Sequence, residues 1–125
     1  MQQLRILLVD DEVDFASALA ERLALRGFQA QAATSGVDAL RHVRESDFSM
    51  LILDVKMPGI DGLGLMAEVK RKHPHLPVIL LTGHGSVEDA ESGMKAGAFD
   101  YLMKPIDIDE LIEKIKNAVG GEKSQ

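Results

Sequence analysis

Ile6-Leu7-Leu8-Val9-Asp10-Asp11-Glu12 is the stretch that decides the fold. Four apolar residues run together without polar alternation, and three acids follow with no spacer. A half-buried strand alternates in polarity; an unbroken aliphatic run suits a strand covered on both faces, as in a parallel sheet flanked by helices. The acids then mark the carboxyl end of that strand. Like charges side by side repel one another and resist burial, so a core strand that ends this way needs a counter-charge nearby.

The same signature returns at Met50–Leu53 and Val78–Leu81, and more weakly at Gln29–Ala33 and Tyr101–Met103. Between these runs the apolar residues take a helical period. Phe15, Leu19 and Leu23 form one stripe, Val37, Leu40 and Val43 a second, and Leu63, Met66 and Ala67 a third. Val87, Ala90 and Met94 form a fourth, and Ile108, Leu111, Ile112, Ile115 and Val119 the clearest. The boundaries agree. Asp107 with Glu110 three residues on reads as an N-cap and its partner, and Ser86 with Asp89 as a weaker one. Gly27 and Gly97 stand where glycines end helices, and His73-Pro74-His75-Leu76-Pro77 stops the third helix.

Five strand–helix units in succession predict an α/β fold, (βα)5, with a doubly wound parallel five-stranded sheet and right-handed crossovers. Ligands of such folds sit beyond the carboxyl ends of the strands, where strand order reverses. Residues 1–119 read as one domain and 120–125 as a frayed, polar, glycine-rich tail.

Composition narrows the function classes. The 125 residues are 46% hydrophobic and 27% charged, enough for a substantial core, and with 4% aromatics that core is aliphatic. There is no cysteine, which excludes disulfides and thiolate chemistry. No stretch approaches the roughly 20 apolar residues of a membrane span, and the opening MQQLR leads into a strand without a signal-peptide pattern. A cytoplasmic protein with no membrane contact is expected. A net charge of −6 argues against direct nucleic-acid binding. The one basic cluster, Lys70-Arg71-Lys72, reads as the last turn of a helix, and His42, His73 and His75 as surface residues.

The strand ends hold the chemistry. Strand one ends in Asp10-Asp11-Glu12, strand two in Thr34-Ser35-Gly36, strand three in Asp54, strand four in Thr82-Gly83 and strand five in Lys104-Pro105. Carboxylates converging from two strands call for a cation, and a hard divalent ion with oxygen ligands is the natural one; magnesium takes one or two carboxylates and keeps waters. Lys104 and Thr82 can each bind a phosphoryl oxygen, and an aspartate can itself form an acyl phosphate.

The blocks LLVDDE (7–12), LILDVKMPGIDGL (51–63), VILLTGHG (78–85), AGAFDYLMKP (96–105) and ELIEKI (110–115), in this order and spacing, resemble the response-regulator receiver domain of bacterial two-component signalling. The resemblance runs from Arg5 to Val119 and implies a flavodoxin-like strand order 2-1-3-4-5. It implies that Asp54 accepts a phosphoryl group from a sensor histidine kinase or phosphotransfer protein. Magnesium would be held by Asp11, Asp54 and the backbone carbonyl of Lys56, with Asp10 acting through a water and Glu12 at the rim. Lys104 and Thr82 would contact the phosphoryl group, Thr82 and Tyr101 would form a switch, and Lys104-Pro105 would be a cis peptide. Met57-Pro58-Gly59 would form the loop after the acceptor. Lys56 and His84 would govern water's access to the acyl phosphate. The surface of strand five with helices four and five would then meet an output domain, a partner protein or a second receiver. Such a domain is not an enzyme; it catalyses only its own phosphorylation and dephosphorylation. VILLTGHG and its continuation look most like receivers of enhancer-binding transcription regulators, whereas no ATPase or DNA-binding domain is legible here; the expectation is a stand-alone receiver, with an N-terminal piece of a longer regulator left open. Two other classes stay open: a pseudo-receiver scaffold that is never phosphorylated, and a magnesium-dependent phosphatase acting through the same aspartate.

Overall fold

A computed structural model describes residues 4–57, 60–83 and 87–120. Five parallel strands, β1 (Arg5–Val9), β2 (Gln29–Ala33), β3 (Met50–Asp54), β6 (Val78–Thr82) and β7 (Asp100–Met103), form one sheet in the order β2-β1-β3-β6-β7. Counted without the two short strands, that is the 2-1-3-4-5 order the resemblance implied. Five helices alternate with them: α1 (Val13–Leu25), α2 (Gly36–Glu45), α3 (Gly62–Lys72), α4 (Val87–Lys95) and α5 (Ile108–Gly120). None is long and apolar enough to cross a membrane.

Each central strand divides its side chains between two cores, because successive residues point to opposite faces. Ile6, Leu8, Met50, Ile52, Ile79 and Leu81 pack with Leu19 and Leu23 of α1 and Leu111 and Ile115 of α5. Leu7, Val9, Leu51, Leu53, Val78 and Leu80 pack with Val43 of α2 and Met66 and Val69 of α3. This two-sided burial is why the runs show no alternation. β2, at the sheet edge, does alternate, with Gln29 and Gln31 exposed.

The helix ends follow the predicted chemistry. Gly27 (φ 94°) and Gly97 (φ 114°) take the left-handed conformation that ends α1 and α4. In the first of these turns Gly27 N–H donates to the Ala24 carbonyl and Phe28 N–H to the Leu23 carbonyl. Asp107 Oδ1 accepts from the N–H groups of Asp109 (2.9 Å) and Glu110 (3.2 Å), capping α5. Ser35 caps α2 in the same manner, accepting from Asp38 N–H. Ser86, Pro58, Gly59, His84 and the tail 121–125 lie outside the described residues.

Four expectations need correction. Val87 of α4 is 51% exposed, and Ala90 and Gly93 carry the buried face of that helix. Val37 does not face the core: it is 81% exposed, and Ala39 and Val43 carry the buried face of α2. A stripe drawn through the aliphatics missed a contact made by a small alanine. In α3 the buried set is Leu65, Met66 and Val69, while Ala67 is exposed. His42 is half-buried rather than a surface residue, set edge-on to Phe48 with ring centroids 6.4 Å apart. The sequence reading also missed an antiparallel pair, β4 (Lys56–Met57) with β5 (Ile60–Asp61), directly after β3.

That pair folds the chain back so that α3 starts hard against the end of β3. A Cβ on Gly62 would lie 2.4 Å from the Val55 carbonyl oxygen and 2.9 Å from that of Asp54. Both are backbone atoms that cannot step aside cheaply. Gly62→Ala should therefore destabilise the domain by about 2–4 kcal/mol. Gly27→Ala, which meets nothing within 4 Å, should cost only the positive φ, about 1 kcal/mol. Denaturant unfolding of the two variants checks the ranking, and equal losses would refute it.

Candidate functional site

Parallel register brings four strand ends to one level. Val9 pairs with Leu53, Asp54 with Leu81 and Thr82 with Met103, and Lys104 N–H donates to the Thr82 carbonyl at 2.8 Å. The next side chains out are Asp10, Asp54, Thr82 and Lys104. Asp10 (0% exposed), Asp54 (5%) and Thr82 (1%) are the only buried polar or charged residues among those described. A core this apolar tolerates polar groups only where they are paired or where a ligand will pair them.

Lys104 supplies the local counter-charge. Its Nζ lies 3.0 Å from Asp10 Oδ2, 3.3 Å from Asp54 Oδ2 and 3.3 Å from Glu12 Oε1. The remaining oxygens of the two aspartates take backbone donors: Asp10 Oδ1 accepts from Glu12 N–H (3.0 Å) and Asp54 Oδ1 from Lys56 N–H (3.2 Å). One ammonium thus faces three carboxylates. Burial, and after it the Asp10 charge, pushes the Asp54 carboxyl above its ordinary range, against the opposing pull of Lys104 and the Lys56 N–H. Burial works against the Lys104 charge as well, but the bond and charge of Asp10, with Asp54 behind them, outweigh it and hold Lys104 above its usual value.

The donor set fits a hard divalent cation. Carboxylate oxygens of Asp10, Glu12 and Asp54 lie within 4.8 Å of one another, all are oxygen donors, and the excess negative charge favours a cation. Asp11 lies outside that trio; it is half-exposed and has no hydrogen bond or ion pair among the described residues. Glu12 is exposed, yet reaches Lys104. Thr82 carries the plainest vacancy in the hydrogen-bond network: its Oγ1 is buried and has no partner among the described residues.

The other predicted residues are near but apart. The Lys104-Pro105 peptide is cis. Tyr101 is half-buried and packs against the core on the α2–α3 side. Lys56 is exposed, with Nζ 3.6 Å from Asp89 of α4. Sequence reasoning took Phe15 as a member of the α1 stripe only, whereas its ring face also lies under Lys104 Nζ, 4.4 Å from the centroid. Its place in the first turn after the acids was the available signal.

Residues 6–116 match the family model described as the response regulator receiver domain. The chain is 39% identical over 120 residues to an NtrX-like response regulator of Rickettsia felis, covering 94% of this chain and 25% of that protein. It is 36% identical over 125 residues to the DNA-binding transcriptional regulator NtrC of Escherichia coli, covering 100% of this chain and 27% of that protein. The chain therefore spans about a quarter of the length of these curated relatives. Among solved structures it resembles the receiver domain of NtrX from Brucella abortus (TM-score 0.88, 37% identity, covering 92% of this chain and 98% of that one). It also resembles a receiver domain protein from Clostridium thermocellum (TM-score 0.90, 36% identity, 94% and 95%).

The electrostatics set a sign for stability. Asp54 holds its proton above the ordinary carboxyl value of 3.8 when folded. Between that value and the raised one the folded state binds more protons than the unfolded chain, so this group's contribution falls as pH rises. Asp54→Asn should consequently stabilise the cation-free domain at pH 7, by roughly 1 kcal/mol or about 3–5 °C. Thermal unfolding in a chelator checks it. A melting temperature lowered by the substitution would contradict the assignment of Asp54 as a net destabilising charge.

Proposed function

The chain belongs to the response regulator receiver family, and from that membership and the geometry of the strand ends we propose that Asp54 is the acceptor of a phosphoryl group in two-component signalling. The observation that carries this reading is the buried, unpartnered Thr82 hydroxyl at a strand end beside the one where an aspartate and a lysine already meet. A phosphoryl group on Asp54 supplies the acceptor oxygens that Thr82 lacks and that Lys104 can bind. The donor is a sensor histidine kinase or a phosphotransfer protein, in the cytoplasm. An oxygen of Asp54 forms the new P–O bond as the donor's P–N bond breaks and the electron pair leaves with the imidazole.

The acidic cluster suits magnesium, which when bound supplies charge neutralisation for the transferred oxygens. We assign Asp11, Asp54 and the Lys56 carbonyl as its protein ligands, with Asp10 acting through a water. Asp11 adjoins Asp10 in the chain and is half-exposed, so its carboxylate is open to solvent and to an incoming ion. Glu12, exposed at the edge of the cluster, contributes less than Asp11. Lys104 holds a transferred oxygen, and Lys56 and His84 set the access of water to the acyl phosphate.

Acceptance of the charge biases an equilibrium between two surfaces. Thr82 turns to the phosphoryl group, Tyr101 follows into the space, and α4, β7 and α5 present the altered face to an output domain, a partner or a second receiver. The domain is a switch rather than an enzyme acting on other molecules.

Acetyl phosphate with magnesium should add one phosphoryl group by intact mass, and Asp54→Asn should abolish the addition. A parent chain that gains nothing from acetyl phosphate or from a cognate kinase would replace this reading with that of a scaffold. Thr82→Val removes the orphaned hydroxyl at nearly constant shape. It should stabilise the unmodified domain by about 1 kcal/mol while weakening the chemical-shift response of α4, β7 and α5 to beryllofluoride. Unfolding curves and amide spectra check the two halves, and an unchanged response would remove Thr82 from the switch.

A further inference from the structure

Phe15 sits in the first turn of α1 and is half-buried against the core shared with α5. Packing alone accounts for an apolar residue there, but not for the placement of an ammonium over its face. Lys104 Nζ lies 4.4 Å from the ring centroid, within the roughly 6 Å at which the ring quadrupole attracts a cation. Among the described residues the Lys104 ammonium therefore meets four groups, the carboxylates of Asp10, Glu12 and Asp54 and the ring of Phe15. The carboxylates are also the groups a divalent cation draws upon. A carboxylate engaged by a cation holds the ammonium less well, whereas the attraction of the ring does not depend on the charge of the acids. Without the ring, the flexible four-carbon stem of Lys104 would be free to leave the site as the cation entered.

We propose that Phe15 is a positioning residue for phosphoryl acceptance. Its π-face keeps the Lys104 ammonium beside Asp54 while the acids engage a cation, so the ammonium is in place when phosphoryl oxygens arrive. The inference rests on the reading of Asp54 as acceptor. Phe15 offers no ligand atom, so it gives the cation nothing directly; through Lys104 it favours the phosphoryl group and, if anything, opposes the cation. Holding a charged group where negative charge will arrive favours the transfer by sparing its reorganisation.

The test compares the full parent chain with Phe15→Leu, Phe15→Tyr and pentafluorophenylalanine incorporated at position 15. The last keeps the ring shape and reverses the sign of the quadrupole. The readouts are the Asp54 phosphorylation rate across acetyl phosphate concentrations at saturating magnesium, the affinity for beryllofluoride, and magnesium affinity by amide-shift titration. A fourth is the shift of the Lys104 ε-methylene protons, which a ring face moves upfield. The Leu and pentafluoro variants should lose about threefold to tenfold in phosphorylation rate and beryllofluoride affinity. The Tyr variant should stay within about twofold of the parent, and magnesium affinity in the Leu and pentafluoro variants should be unchanged or tighter, since an ammonium freed from the ring no longer opposes the cation. The upfield shift should persist in the Tyr variant and vanish in the Leu variant.

A pentafluoro variant as active as the parent would reduce Phe15 to a space-filler and overturn the inference, even if the Leu variant proved too unstable to assay. A matched loss of magnesium affinity would overturn it also. A parent that is never phosphorylated would instead defeat the acceptor reading, a result separable from the first because the Lys104 proton shift reports the ring contact by itself.

Discussion

The rest of the site depends on one shortage of positive charge. Asp10 and Asp54 are buried at adjoining strand ends, and among the described residues a single ammonium, Lys104, serves both and Glu12 as well. Buried carboxylates that are only partly compensated are costly, and the cost is largest in the low-dielectric surroundings that an aliphatic core provides. The domain carries this cost on a sheet whose central strands are apolar on both faces. The two facts belong together: a parallel sheet with fully packed faces leaves only its strand ends for chemistry, and the rigidity of that packing holds the unfavourable charges close.

Much of the fold was legible because the central strands have no polar side. Ile6–Val9, Met50–Leu53 and Val78–Leu81 declare two-sided burial by composition alone, and the glycines at 27 and 97 declare helix ends because only they take a positive φ without strain. What failed did so for physical reasons. The face of α2 was misjudged because Ala39 carries little weight in an aliphatic stripe yet packs fully. The β4–β5 pair leaves no hydrophobic pattern, since two-residue strands are defined by hydrogen bonds and a fold-back of the chain. His42 looked polar in sequence, but a neighbouring aromatic makes half-burial favourable.

The candidate site divides the same way. Its members were legible as residues that end strands, because topology alone collects strand ends in a parallel sheet. Their individual partners were not. That Lys104 spans Asp10, Glu12 and the ring of Phe15 depends on the reach of a long side chain across the sheet, for which sequence separation gives no cue. The difference in setting between Asp10 and Asp11 has a similar origin. Both are aspartates in adjacent positions, but strand geometry turns Asp10 into the core and leaves Asp11 half-exposed.

The bond from Lys104 N–H to the Thr82 carbonyl has a consequence for speed. It continues the β6–β7 ladder one rung beyond the strands, tying together the backbones of the two residues that would grip a phosphoryl group. A rearrangement at Thr82 that keeps this bond is a rotation of its side chain, a motion that in unhindered residues takes picoseconds to nanoseconds. Under the proposed switch, the local response would keep pace with any change at Asp54, and the duration of a signal would be set by the chemical lifetime of the acyl phosphate rather than by the mechanics of the fold.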